Sequence, residues 1–374
     1  MLDADVVIVG AGPAGATAAL NLAPFRRVLL VDKLAQPADR IGESLAPAAR
    51  RLLSDMGLWE DFLSDGHAPR YAARSVWGSD TASERDALAD LDGHGWHLDR
   101  RRFEERLRRT AMARGAALVA PARPIHLERS GEGWTLRLER HGRELAVTAK
   151  RIIDAGGRTS GLLRAFGAER QARDKLLCGW LHGALAEGHS GGGMTYTEAA
   201  PDGWWYTAPL PDRRRVLAWH TDADLPAAEA LRTPAALLAK ARQSPTLVAQ
   251  LADARFEDSA SLGVIAAHSS ALTPPVGEGW LAAGDAALSF DPLSSQGLFN
   301  ALFTGLAAAE ATDRALSGDA SAASEYAATL ADIDAAYRRN LAAWYGLERR
   351  WPEQEFWRRR APGTYPAGAK TRSR

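Results

Sequence analysis

One stretch limits what this chain can fold into more than any other: Asp5 to Lys33. Asp5-Val6-Val7-Ile8-Val9 is short, apolar and β-branched, and reads as a buried strand of a parallel sheet. Gly10-Ala11-Gly12-Pro13-Ala14-Gly15 follows without a spacer. Ala16 to Ala23 is predicted as a small-residue helix, and Val28 to Val31 as a second strand closed by Asp32 and Lys33. This is G-x-G-x-x-G with a strand before it, a helix after it and an acid at the right distance, a context that makes a weak motif strong. Gly10 permits the tight turn, Gly12 lets the backbone approach a pyrophosphate, and Gly15 lets the helix pack on the strand. Pro13 and Ala14 open the helix whose N-terminus faces the phosphate charge. Asp32 stands where a carboxylate can accept from the ribose hydroxyls of an adenosine. The stretch alone does not separate FAD from NAD.

The bulk properties exclude several classes. At 374 residues the chain has room for two joined domains. Its 46 Lys+Arg balance 46 Asp+Glu, whereas a nucleic-acid partner normally leaves a basic excess. One cysteine, Cys178, allows no internal disulfide and no multi-cysteine metal site, so no metal is expected; a core strand is its expected place. No apolar run reaches membrane-spanning length. The first strand begins within a few residues of Met1, leaving no room for a signal peptide, so a cytoplasmic protein is expected.

Further along, Gly42-Glu43-Ser44 precedes a helix predicted from Ala48 to Met56, and by itself reads as a helix cap. Asp99 is the expected N-cap of a helix from Arg101 to Arg114, with Phe103, Leu107 and Ala111 inward and the arginines outward. Ile125 to Ala146 reads as a hairpin pair turning at Gly131 and His141-Gly142. Arg151 to Arg158 is a strand that runs into Asp154-Ala155-Gly156-Gly157. Leu176 to Ala223 alternates as an antiparallel sheet, with strands at Thr195–Glu198, Gly203–Leu210 and Arg215–Thr221. Ala227 to Ala254 is helical, broken near Ser244-Pro245. Trp280 to Ala287 is a strand ending in Gly284-Asp285, and a long helix from Leu298 to Leu316 follows the loop Asp291 to Gly297. Tyr326 to Arg360 is helical, with a disordered tail expected after Pro362.

The glycine motif, the Asp154 turn and Gly284-Asp285 with its loop share one explanation. A Gly-Asp strand end places a carboxylate on a ribityl hydroxyl, and the helix after Gly297 aims its amides where negative charge develops on a reduced flavin. From residue 4 to 360 the chain resembles the FAD-dependent monooxygenases of the aromatic-hydroxylase fold. It is most similar to their branch containing the tryptophan halogenases, through Gly42-Glu43-Ser44, Asp99-Arg100 with Phe103, and Asp291-Pro292-Leu293-Ser294-Ser295-Gln296-Gly297. The resemblance implies an α/β fold: a discontinuous, Rossmann-like FAD-binding domain (1–165 and 270–345), an inserted antiparallel-sheet substrate domain over the flavin (166–269), and a C-terminal helix and tail (346–374). It implies that Glu43, Ser44, Arg100, Asp285, Pro292, Ser295, Gln296, Gly297 and Leu298 line the flavin.

The resemblance breaks where a halogenase does its chemistry. Those enzymes use a lysine on the strand matching Arg70 to Val76 and a glutamate at the place of Ser294. None of the five lysines falls on that strand, and arginine is a poor substitute for a nucleophilic amine. Their W-x-W-x-I-P motif survives here as Trp204-Trp205-Tyr206-Thr207-Ala208-Pro209, keeping the first Trp and the Pro. What the resemblance then implies is oxygen transfer through a flavin C4a-hydroperoxide to an aromatic, indole-like ring. Relatives lacking the halogenase residues oxygenate tryptophans of a partner polypeptide during tryptophylquinone formation. Their length and their counterpart of Gly203 to Leu210 are similar to those found here. A free aromatic substrate, a halogenase with other residues, a prenyl-type double-bond reductase and a non-catalytic FAD-binding maturation partner are the competing readings. No second dinucleotide fingerprint occurs, so NAD(P)H visits transiently or a separate flavin reductase supplies electrons.

Trp204, Trp205 and Tyr206 meet either substrate or the sheet core. His220 is either a base or a structural ring, and Asp291 either orients substrate or caps its loop before Pro292. The arginines at 349–350 and 358–360 either contact an acidic partner or form a solvated helix face.

Overall fold

The computed structural model describes residues 2–87, 91–189 and 192–361. The tail expected after Pro362 lies outside them. The chain divides into two compact units, the first made of 2–67, 98–173 and 268–334, the second of 68–97, 174–267 and 335–361.

The first unit is built on a parallel sheet. Its strands run in the order Trp280–Ala282, Arg143–Asp154, Leu2–Val9, Val28–Val31 and Ala117–Val119, and every neighbouring pair among these five is parallel. The apolar β-branched runs explain this, because Val6, Val7, Ile8, Leu30, Val31 and Ile153 are wholly buried. The helix Pro13–Leu22 leads from the first strand to the second, and the helix Gly297–Leu316 packs on it. The expected hairpin pair and the following strand are three strands: Arg123–Ser130, Gly133–Arg140 and the twelve-residue Arg143–Asp154. The last pairs antiparallel with Gly133–Arg140 and parallel with Leu2–Val9, so one strand joins a surface ribbon to the central sheet.

The helix Arg100–Ala113 corrects, for two of its arginines, the expectation that they face outward. Asp99 does cap it, accepting from Arg102 N at 2.9 Å. Arg100, Glu104 and Arg108, however, are buried beside Phe103 and Leu107. Arg101, Arg102 and Arg109 do face solvent, whereas Arg100 and Arg108 are held inside by carboxylates and backbone carbonyls.

The second unit is an antiparallel sheet with one parallel pair. Its order is Ala254–Arg255, Leu176–Leu185, Arg214–Asp222, Gly203–Leu210, Met194–Ala200, Ala72–Val76 and Ser83–Asp86. Residues 68–97, expected in the cofactor domain, belong here because Ala72–Val76 pairs parallel with Met194–Ala200. One sheet face carries Trp205, Trp219, Leu217 and Leu181, packed with Leu231, Leu237 and Leu247. The helical stretch 227–254 is a 3₁₀ turn and two short helices, with Ser244 capping the second by accepting from Leu247 N. Cys178 is buried in its strand.

Of the C-terminal arginines, Arg349 and Arg358 are exposed as a solvated face would be, whereas Arg350, Arg359 and Arg360 pair within the chain. Arg360 donates to both oxygens of Asp222 at 3.1 and 2.6 Å, with both side chains buried. Arg359 reaches Asp222 and Asp224, and Arg350 pairs with Glu348 and Asp80.

Candidate active site

The parallel strands end together. Pairing aligns Val9 with Val31 and Asp154, Val31 with Val119, and Asp154 with Ala282. Each sequence motif therefore starts at one carboxyl edge: Gly10, Asp32, Ala155-Gly156 and Ala283-Gly284. Open parallel sheets bind ligands at that edge. Backbone bonds continue the ladder into the loops, from Gly10 N to Val31 O, Ala155 N to Val9 O and Ala283 N to Asp154 O, at 2.7–2.8 Å.

Two glycines there have no substitute. Gly10 has φ +101°, and a Cβ on it would lie 2.2 Å from Ala155 O. A Cβ on Gly15 would lie 1.8 Å from Gly10 O, so the turn and helix close only without side chains. Gly12 is the N-cap residue and Pro13 the first residue of the helix, leaving the first amides of the turn pointing outward. A cavity of about 510 Å³ opens beside them, lined by Gly10, Asp32, Lys33, Gly156, Ser160 and Phe166.

Asp32 and Asp285 stand in different surroundings. Asp32 accepts from Ala11 N and Leu34 N, both at 2.7 Å, and pairs with Arg108 at 3.2 Å. Asp285 keeps a side chain 38% exposed, with one loose pairing to Arg158 at 3.5 Å, so its carboxylate is open to a polyol hydroxyl. Sequence reasoning gave Arg158 and Arg170 no role. Arg170 donates to Asp285 O and Ala286 O, and Arg158 to Phe290 O and His268 O, so two arginines hold the turn that carries Asp285. Burial pushes the Asp154 carboxyl up, against the Ser160 hydroxyl, the Gly156 amide and the charge of Arg170.

Beyond Asp285, the loop before Gly297–Leu316 exposes Pro292, Ser295, Gln296 and Gly297, while Leu298 packs beneath. Asp291 is fully buried and accepts from Leu293 N at 2.9 Å; Ser295 takes φ +52°. The first amides of a 20-residue helix thus open beside a solvent-facing loop, a site suited to negative charge. Beside the strand Ser44–Leu45, which contacts the helix Gly297–Leu316, Arg100 donates to Gly42 O and Ile41 O and to Glu104, holding the Gly42-Glu43-Ser44 turn. Glu43 is buried and accepts from Gly42 N, and the Ser44 hydroxyl is buried without a hydrogen-bond partner. The cavity, the outward amides, the open Asp285 and the orphaned Ser44 hydroxyl fit a dinucleotide carrying a flavin.

In the second unit, pairing sets Ser75, Thr197, Tyr206, Ala218 and Trp180 in one row across five strands. All but Ala218 are half-buried, on the face opposite the Trp205 core. Tyr206 is thus the accessible member of the three aromatic candidates. Trp205 packs on Trp219 at 4.6 Å in the core. Trp204 stacks face to face on His220 at 3.5 Å and donates to the Tyr345 hydroxyl at 3.2 Å. His220 is fully enclosed, and burial pushes it down to about 3, so the ring is neutral. Trp180 and His182 on the neighbouring strand escaped notice because face membership comes from pairing register, which no local pattern shows. Among the described residues no group of His, Cys, Asp and Glu could hold a metal ion, and no helix is long and apolar enough to cross a membrane.

The sequence pattern of the family described as FAD binding domain matches residues 3–324. The chain belongs to that family. It is an FAD-dependent oxidoreductase, with the halogenase-like α/β fold that its motifs imply. It is 29% identical to LodB of Marinomonas mediterranea, named there as an FAD-dependent oxidoreductase, over 95% of this chain and 96% of that protein. The myxobacterial chondrochloren halogenase CndH superposes with a TM-score of 0.87 at 25% identity, over 96% of this chain and 86% of that one. QhpG, a peptidyl tryptophan dihydroxylase essential for tryptophylquinone cofactor biogenesis, gives a TM-score of 0.77 at 26% identity, over 96% and 78%.

Proposed function

We propose that this oxidoreductase is a monooxygenase that hydroxylates an aromatic, indole-like ring, and in the sharper form a tryptophan side chain of a partner polypeptide. The supporting observation is the pairing of Ser75, Thr197, Tyr206 and Trp180 into a half-buried row that has aromatic area and no lysine amine. Arg74 is the cation on the strand Ala72–Val76, and Ser294 stands in the Asp291 loop, so the groups that would capture and deliver hypohalous acid are missing. The similarity to QhpG favours an oxygenated tryptophan over a halogenated one.

Bound FAD supplies oxygen activation, with electrons from NAD(P)H directly or through a separate flavin reductase. The chain supplies placement. Gly10 to Gly15 and Asp32 with Lys33 hold the adenosine and pyrophosphate; Glu43, Ser44, Arg100, Asp285 and the Pro292 to Leu298 loop hold the flavin end. Tyr206 and Trp180 offer ring surface to an aromatic substrate. Asp291 shapes the loop by capping it, and His220 stays a neutral packing ring; neither transfers a proton.

Reduced holoenzyme mixed with ¹⁸O₂ tests the reading on free indoles and on an intact tryptophan-bearing polypeptide, with and without bromide. An ¹⁸O-labelled product whose yield ignores bromide is expected. A brominated product instead means a halogenase. Flavin reoxidation with saturated double bonds in an added prenyl substrate means a reductase. Oxygen on free indoles alone removes the polypeptide version.

A further inference from the structure

The helix Arg100–Ala113 carries six arginines, and one of them, Arg108, reaches under the cofactor edge. Its side chain is buried. Nε donates to Ala11 O at 2.8 Å, Nη1 donates to Leu34 O at 3.2 Å, and Nη2 lies 3.2 Å from Asp32 Oδ2. Asp32 Oδ2 also accepts from Ala11 N at 2.7 Å. Both polar backbone atoms of Ala11, the residue between the first two motif glycines, are therefore held, one by Asp32 and one by Arg108. Asp32 itself accepts from two amides, and Arg108 Nη2 stands beside it as an ion pair without hydrogen-bond geometry. A carboxylate offers about four acceptor directions, so about two remain for ribose hydroxyls.

We infer that Arg108 is a positioning residue for the adenosine half of FAD, acting through Asp32 and Ala11. It balances the charge of Asp32 and fixes the Ala11 peptide, so the phosphate loop has its binding shape before the cofactor arrives. Such preorganisation tightens binding by removing the cost of ordering the loop. A planar fork is needed, because one side chain reaches two carbonyls and a carboxylate at once; a lysine cannot. The inference needs only that the protein binds FAD, and stands or falls apart from the identity of the substrate.

The test is titration of apoprotein with FAD, followed by flavin fluorescence, and with ADP in competition. Arg108→Met is expected to weaken FAD on the order of 10- to 100-fold. ADP, which has the adenosine and pyrophosphate and no flavin, should lose affinity by the same factor. The visible bands of flavin bound at saturation should not move, since Arg108 acts at the other end. Arg108→Lys should recover part of the loss, and Arg108→Met combined with Asp32→Asn should lose less than the two losses multiplied. A structural role alone would lower the unfolding temperature without this coupling. FAD affinity within about twofold of the parent, unaffected ADP, or strictly multiplicative losses would overturn the inference. If Arg108→Met does not fold, Arg108→Lys decides: a several-fold loss shared by FAD and ADP supports it, and unchanged affinity overturns it.

Discussion

The carboxyl edge of the parallel sheet and the half-buried face of the antiparallel sheet, proposed here to meet cofactor and substrate, are built by different means. At the edge the backbone is the reagent. Strand ends in register, glycines without room for a methyl group and outward helix amides make the site, and side chains such as Arg108 and Arg170 hold it in shape. On the face proposed to meet substrate, side chains would be the reagent, and the backbone decides which of them stand together, as with Ser75, Thr197, Tyr206 and Trp180. Damage to the edge should abolish cofactor binding outright. Damage to the face should grade with the group removed.

The largest expected effect is at the edge. Gly15→Val puts atoms where Gly10 O lies 1.8 Å from the added Cβ, so the turn and helix cannot both keep their places. Purified Gly15→Val should be colourless, with no FAD recovered after denaturation. A yellow, stoichiometrically loaded variant would break the claim that the backbone makes this site.

Next comes the pair Arg360–Asp222 in the second unit, buried on both sides. Arg360→Met leaves Asp222 enclosed with only Arg359, and should cost about 3–5 kcal/mol, the usual loss when one partner of a buried ion pair is removed. Chemical unfolding measures it. The variant should still take up FAD when folded, which separates the stability of the sheet unit from the making of the cofactor edge.

How much of this was legible in the sequence follows the same divide. The edge could be read because its requirements are local: Gly10, Gly12 and Gly15 lie within six residues, and Gly284-Asp285 closes its own strand. The helix cap at Asp99 was legible for the same reason. Arg108 was not, because which of the helix's six arginines is buried there depends on Asp32 and Ala11, brought near only by the fold. Trp204 and Tyr206 could be placed on one face from the period of two, yet not that Tyr345 and His220 enclose the first and leave the second half-open. The origin of residues 68–97 was hidden too, since a parallel strand pair has no local signature.

Acid should weaken the molecule through its buried histidines. His97 and His220 are pushed down to about 3 and His67 to about 4, each mainly by burial. Between about pH 6.5 and those values the unfolded chain binds protons that the folded one refuses, so stability falls as pH falls. For His220 the loss is about 2 kcal/mol at pH 5 relative to neutral pH. His220→Phe keeps a flat ring against Trp204 and should flatten the pH dependence of unfolding by that share. It should also keep oxygenation at neutral pH; a collapse of turnover with FAD still bound would make His220 the base after all.

The smallest effect is the sharpest probe of the face. Tyr206 and Thr207 are adjacent on one strand and point to opposite sides. Thr207 is buried and donates its hydroxyl to Val216 O at 2.7 Å. Tyr206 is half-buried in the row with Trp180. Removing one hydroxyl is worth about 1 kcal/mol, or roughly five- to tenfold in a rate constant ratio. Tyr206→Phe should place a measurable part of that loss in kcat/KM for the aromatic substrate. Thr207→Val should place it in unfolding and leave kcat/KM unchanged. If the two variants behave alike, the half-buried row is not where substrate binds, and the cofactor edge is the sole reactive surface that pairing register can assign.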